Sequence, residues 1–180
     1  MKATGVIRRI DELGRIVIPK EIRRTMRLRE GDPLEIFTDV NGEIVFKKYS
    51  MIGEMGGVIK HYVEILEKLS PLPFVITDRE HVIGVSNLQK KDILKRRISY
   101  QLDKILKERS TYIKENNDVK NIDVVEELDK FAEIIIPIIA EGDVLGAVVF
   151  LEGESGEKAT EADIKLAQSV AEFLGKQTVI

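Results

Sequence analysis

The side chains in this sequence best placed to do chemistry are arginines. Seven of the 11 Arg residues lie between Arg8 and Arg29, with Lys20 among them and three acids, a local charge of +5 (8 − 3). Beyond position 50 the chain turns to lysine, 13 Lys against four Arg. A guanidinium is a rigid planar fork that pairs bidentately with phosphate or with a guanine edge, whereas an ammonium is a hydrated point charge. A dense arginine patch in a chain of net charge −3 calls for a local anionic partner, and nucleic acid is the first candidate. The charge is also divided along the chain. Residues 1–50 carry 11 basic and eight acidic groups (+3), and residues 51–180 carry 17 and 23 (−6). The alternative is a solvated charged face whose arginines pair with Asp11, Glu12 and Glu21.

Other chemistries find little to work with. The absence of cysteine removes disulfides, thiolate metal sites and cysteine nucleophiles together. The two histidines, His61 and His81, stand 20 residues apart and outside any HExxH spacing. The segment Gly53-Glu54-Met55-Gly56-Gly57 lacks the preceding buried strand and the following Lys-Ser/Thr of a phosphate loop. Glu152 to Glu157 reads as an acidic turn without fixed ligands. No catalytic residue, no metal ligand and no enzyme activity are therefore expected. Residues 3–29 contain no Asn or Gln, the usual adenine readers, so backbone and shape readout is favoured over base reading. No run of about 18 apolar residues and no signal peptide occur, which makes a cytoplasmic location the simplest expectation.

The elements that must position the arginines are short. Ala3–Ile10 and Arg15–Ile18 read as strands around an Asp11–Gly14 turn. Pro19 ends the pairing and opens a short helix, Lys20–Met26. Leu34–Thr38 and Glu43–Lys48 read as a further hairpin across Asn41-Gly42. Fifty residues of this kind bury too little surface alone, and no disulfide or metal can help, so an interleaved dimer is expected.

The run Thr4-Gly5-Val6-Ile7-Arg8-Arg9-Ile10-Asp11-Glu12-Leu13-Gly14-Arg15-Ile16-Val17-Ile18-Pro19, then Glu21-Ile22-Arg23-Arg24, resembles the AbrB-type swapped-hairpin transcription factors. The match continues through Gly31-Asp32, Leu34-Glu35-Ile36 and Lys47-Lys48-Tyr49. The resemblance implies that two chains exchange hairpins into one small β-barrel and that arginines on one face grip DNA, with A-T-rich sites fitting the family. It places the DNA contacts at Arg8, Arg15, Arg23 and Arg24, with Lys2, Arg9 and Lys20 as auxiliary contacts.

Residues 51–71 carry a heptad-like stripe, Ile52, Met55, Ile59, Tyr62, Leu66 and Leu69, whose firm helix is expected over Val58–Leu69. It packs either on its own domain or against a second chain. Residues 72–180 read as α+β. Strands are expected at Phe74–Thr77 and His81–Ser86, and a helix over Lys90–Lys107 capped by Asn87. Lys114–Lys120 reads as loop and Val119–Val125 as a strand. A hairpin, Ala132–Ala140 and Val144–Leu151, is followed by a last helix opened by Thr160. The run Ile134-Ile135-Ile136-Pro137-Ile138, Gly142, Val144-Leu145-Gly146-Ala147-Val148-Val149 resembles the late hairpin of a GAF domain. The expected fold is thus a β-rich swapped-hairpin barrel (1–50), a linker or dimerisation helix (51–71) and a GAF-like sensor domain (72–180). The GAF resemblance implies either a small-molecule pocket walled by Ser86–Asp92 and Ser110–Lys120, or an assembly block without ligand; no cofactor is named.

Joined, the two halves resemble a family of sporulation regulators of endospore-forming bacteria. That resemblance implies a DNA-binding dimer associating to a tetramer, activating some forespore genes and repressing others. The rival functions are an antitoxin, which shares the swapped-hairpin fold, and a ligand sensor acting through a protein partner.

Overall fold

Pro19 is the one residue between positions 5 and 49 whose side chain is buried. The computed structural model describes residues 5–88, 93–115 and 121–178. They fall into two compact units, Met1–Tyr49 and Ser50–Ile180.

In the first unit, Pro19 caps helix α1 (Lys20–Thr25), where its fixed φ of −57° suits the position before a helix. The helix closes with the Leu28 N–H donating to Arg23 O (2.7 Å) and the Arg27 N–H to Arg24 O (3.2 Å). This is the paired 6→1 and 5→2 closure that normally places glycine in the left-handed region; here Arg27 occupies it, at φ 51°. Strands β1 (Leu34–Thr38) and β2 (Ile44–Lys48) pair antiparallel with Ile36 opposite Phe46. Their turn is held by the Asp39 carboxylate, which accepts from the Asn41 and Glu43 N–H groups (3.0 and 2.8 Å).

The expected strands at Ala3–Ile10 and Arg15–Ile18 are not formed within the single chain. Residues 5–19 contain no strand, and Ala3 and Thr4 lie outside the described residues. The turn between them does close, with the Asp11 N–H donating to Arg15 O at 3.0 Å. A strand exists only where a neighbour completes its ladder. The apolar side chains of this segment have no core to enter, with Ile7 91% and Val17 72% exposed.

The second unit is built on an antiparallel five-stranded sheet, order β4-β3-β7-β6-β5. Its strands are β3 (Phe74–Asp78), β4 (Val82–Ser86), β5 (Tyr112–Ile113), β6 (Ala132–Ala140) and β7 (Asp143–Leu151). Period-2 alternation sends Phe74, Ile76, Ile134, Ile136, Val148 and Phe150 to one face and Val75, Ile135, Ala147, Val149 and Leu151 to the other. The first face is covered by α2 (Gly56–Leu69), through Ile59, Val63 and Leu66, and by the final helix, through Ala167, Val170, Ala171 and Leu174. The two helices touch through Tyr62 and Phe173, ring centroids 4.9 Å apart. The second face is covered by α3 (Tyr100–Glu108), through Leu102 and Leu106, and by Ile122, Val124 and Val125.

Beyond one-residue shifts at element ends, the second unit differs from the sequence expectation in several places. Helix α2 starts at Gly56, after a 3-10 turn at Gly53–Met55, rather than at Val58. The helix expected over Lys90–Lys107 is described only from residue 93, and there helix α3 starts at Tyr100, where the Ser99 hydroxyl accepts from the Leu102 N–H (3.0 Å). Before it, Lys95 has φ 68°, and Arg97 and Ile98 bridge to His81 and Val125, which no continuous helix permits. Asn87 does not cap it; its side-chain amide donates to Ser70 O at 3.5 Å. The segment expected as strand Val119–Val125 makes isolated bridges in its described part, and β5 lies inside the expected loop Ser110–Lys120. Residues 89–92 and 116–120, within the two expected pocket walls, lie outside the described residues.

The final helix, α4 (Glu161–Gln177), opens as expected on Thr160, with a reciprocal capping box to Asp163. The same carboxylate accepts from the Ser70 hydroxyl at 2.6 Å, tying the end of α2 to the start of α4 across 93 residues of sequence. Burial opposes the charge on Asp163, but hydrogen bonds from Ser70 and Thr160 outweigh it and hold its carboxyl below the usual aspartate range. A depressed folded-state value means that this stabilisation is present above the ordinary aspartate value and lost as pH falls through the folded one. Asp163→Ala is expected to destabilise the second unit by about 2–3 kcal/mol at neutral pH. The deficit should shrink on acidification, as urea titrations at neutral and acid pH would show.

Candidate nucleic-acid interface

The candidate cations of the first unit are distributed over a turn and one short helix. Arg8 and Arg9 precede the Asp11–Gly14 turn, Arg15 follows it, and Lys20, Arg23 and Arg24 lie on α1. All six are exposed. Lys2 lies outside the described residues. Helical spacing of three and four residues puts Lys20, Arg23 and Arg24 on one side of α1.

The proposed pairing with Asp11, Glu12 and Glu21 occurs for one of these cations. The Arg15 Nε donates to Asp11 Oδ2 at 2.8 Å. Asp11 also accepts from the Arg15 and Leu13 N–H groups (2.8 and 3.0 Å). The Arg15 backbone bond first, then its guanidinium, lowers the Asp11 carboxyl below its usual range. The carboxylate therefore stays charged and fixes the root of the Arg15 side chain. A guanidinium has five N–H donors, and Nε is the one committed here, so the terminal amines remain available to an acceptor such as phosphate. Among the described residues, the side chains of Arg8, Arg9, Lys20, Arg23 and Arg24 make no hydrogen bond or ion pair.

The second half of the unit disposes of its cations differently. Lys47 sits over the Phe37 ring, 4.4 Å from the centroid. Lys48 donates to Arg27 O (2.7 Å) and lies 3.6 Å from the Asp32 carboxylate. Arg27 carries an exposed side chain that sequence reasoning did not assign. The signal that could have found it is the arginine bias itself, since Arg27 lies inside the Arg8–Arg29 run. Among the described residues no group of three or more His, Cys, Asp or Glu could hold a metal ion. No described helix is long and apolar enough to cross a membrane.

Comparison with known proteins agrees with this division. Residues 54–178 match the family model "Stage V sporulation protein T C-terminal, transcription factor", and residues 7–53 match "Antidote-toxin recognition MazE, bacterial antitoxin". The chain is 44% identical to Stage V sporulation protein T of Bacillus subtilis (strain 168) over 179 residues, covering 98% of each. It is 55% identical over 49 residues to the Transition state regulatory protein AbrB of the same organism, covering 27% of this chain and 50% of the relative. The crystal structure of a GAF domain/HD domain protein from Geobacter sulfurreducens is similar at a TM-score of 0.52 and 13% identity, covering 73% of this chain and 96% of that one. That likeness shows the GAF fold of the second unit. Near-complete coverage by one relative, with both units matched in order, shows that the chain belongs to the stage V sporulation protein T family of sporulation transcription regulators.

Proposed function

We propose that this chain regulates sporulation genes by gripping double-stranded DNA with the arginines of its first unit, in the cytoplasm of the developing forespore, activating some genes and repressing others. The observation that carries this reading is the set of exposed cations, Arg8, Arg9, Lys20, Arg23 and Arg24, that find no partner among the described residues. Ions left without internal partners supply the counterion release that drives binding to a polyanion. Without Asn or Gln in residues 3–29, discrimination falls to duplex shape and deformability, which favours A-T-rich sites. The test is binding of the whole protein to A-T-rich and G-C-rich duplexes of equal length across salt. Tighter binding to the first, with log K falling steeply against log salt, is expected. Absence of binding at low salt would defeat the reading and favour an acidic protein partner.

The assembly we propose is an interleaved dimer that associates to a tetramer. The first level rests on the apolar side chains of residues 5–49 that one chain leaves exposed. The second rests on α2. Its inner stripe, Ile59, Val63 and Leu66, belongs to the core of its own unit. Val58 and Tyr62 are half-buried against the same core, but Ile65 and Leu69, four residues apart, are 49% and 59% exposed and leave an apolar edge on the helix. Changing Ile65 and Leu69 together to Lys should reduce a tetramer to a dimer in sedimentation, with the folded content unchanged. A tetramer that persists would place the contact elsewhere.

We read the GAF-like unit as an assembly block without catalysis. The sheet face under α3 is filled by buried aliphatic side chains, including Val75, Val85, Leu102, Ile135 and Val149. A polar effector would have to displace them. The MazE-type match leaves an antitoxin as the rival, but a second unit with its own two-sided core is unlike the short toxin-binding tail expected of one.

A further inference from the structure

We infer that Arg27 is an additional DNA-contacting residue, placed at the end of α1 at a conformational cost. The inference rests on the DNA-binding reading above and extends its contact set. Arg27 closes α1 in the left-handed region, at φ 51°. There glycine makes the same backbone closure without a Cβ penalty. The backbone bonds that define the closure, Arg27 N–H to Arg24 O and Leu28 N–H to Arg23 O, need no side chain at position 27. The one further contact, from the Lys48 ammonium, goes to the Arg27 carbonyl. Nothing in the local architecture therefore calls for a guanidinium.

The second unit offers an internal comparison. Arg109 also caps a helix in the left-handed region, at φ 53°, but its guanidinium lies 4.0 Å from the Asp143 carboxylate. The Arg27 side chain is exposed and makes no hydrogen bond or ion pair among the described residues. It shares this condition with Arg23 and Arg24, which lie four and three residues before it in the last turn of α1. The cation also complements the helix C-terminus, but any cation at that turn would do so. What a planar fork adds is phosphate recognition.

The experiment compares Arg27→Gly and Arg27→Lys with the unaltered protein, each full length, on one A-T-rich duplex across salt, with thermal unfolding alongside. Gly preserves the closure, so Arg27→Gly should unfold at the same temperature or higher. Its affinity should fall about eightfold per lost contact near 0.1 M salt, and its log–log salt slope should shallow by about 0.9 per lost contact. Arg27→Lys should keep the slope, because the charge remains. Wild-type affinity and slope in Arg27→Gly would overturn the inference while leaving the DNA-binding reading intact. If the unaltered protein does not bind the duplex, both fall together. If Arg27→Gly weakens binding only in proportion to a lowered unfolding temperature, position 27 is structural and the inference is also overturned.

Discussion

Replacing Arg8, Arg15, Arg23 and Arg24 together by Ala is expected to abolish tight binding to duplex DNA and to flatten its salt dependence. The four side chains belong to one exposed set, and three of them make no contact that folding needs among the described residues. Arg15 is the exception, through its exposed ion pair with Asp11. Exposed pairs of this kind contribute about 0–1 kcal/mol, so the variant should stay folded. Ala also suits positions 23 and 24 in α1 better than any other residue. Against this small structural cost stands a large electrostatic one. In a dimer the four become eight, and eight phosphate contacts correspond to a log–log salt slope of about −7. Their loss should lower affinity at least about 10³-fold at moderate ionic strength. Fluorescence anisotropy across a salt series, with circular dichroism as the folding control, reads both quantities. A folded variant with an undiminished slope would remove these arginines from the interface and turn attention to the cations of the second unit.

How much of this was legible in the sequence depended on the range of the forces involved. The β6–β7 hairpin could be read residue by residue, because continuous apolar runs flank Glu141-Gly142-Asp143 and both strands are buried on two faces. The start of α4 was equally clear, since a capping box is decided within four residues. The start of α3 was not. It depends on Arg97 and Ile98 being drawn into bridges with His81 and Val125, far off in sequence. The strands expected at Ala3–Ile10 and Arg15–Ile18 show the opposite case. Their alternation is present, yet one chain supplies no ladder to complete it, so periodicity alone did not make a strand. The heptad-like stripe over residues 52–69 was visible, but not that Ile52, Ile59 and Leu66 would be consumed by the protein's own core. At the candidate site, the bias toward arginine over lysine singled out a stretch whose Arg8, Arg9, Arg23 and Arg24 the structure leaves exposed. It could not show that Asp11 engages Arg15 alone among the candidate contacts, or that Arg27 closes a helix in a conformation that favours glycine.

The second large effect is expected at Gly146, in the hairpin run that signalled the GAF fold. Gly146 lies in β7 opposite Asp78 of β3 on one side and Ile138 of β6 on the other. A Cβ built there would stand 1.9 Å from the Thr77 carbonyl oxygen, 2.8 Å from its carbon and 2.9 Å from the Asp78 Cα. These are backbone atoms of an interior strand, so no side-chain rotation relieves the clash. Nor can β3 withdraw easily. The Thr77 Oγ1 accepts from the Ala147 N–H at 3.2 Å, and Thr77, Ala147 and Val148 are fully buried. A shift large enough to admit a methyl group would open the β3–β7 ladder and the apolar layers on both faces of the sheet. Gly146→Ala should therefore destabilise the second unit by about 3 kcal/mol or more, lowering its unfolding temperature by on the order of 10 °C. Gly142→Ala provides the contrast within the same hairpin. Gly142 has φ 86° and open space around the added methyl, so it should cost only about 1–2 kcal/mol of backbone strain. Calorimetry of the three proteins would order them as unaltered, Gly142→Ala, Gly146→Ala. Equal losses at the two positions would mean that β3 and β7 do not approach as closely as the register requires.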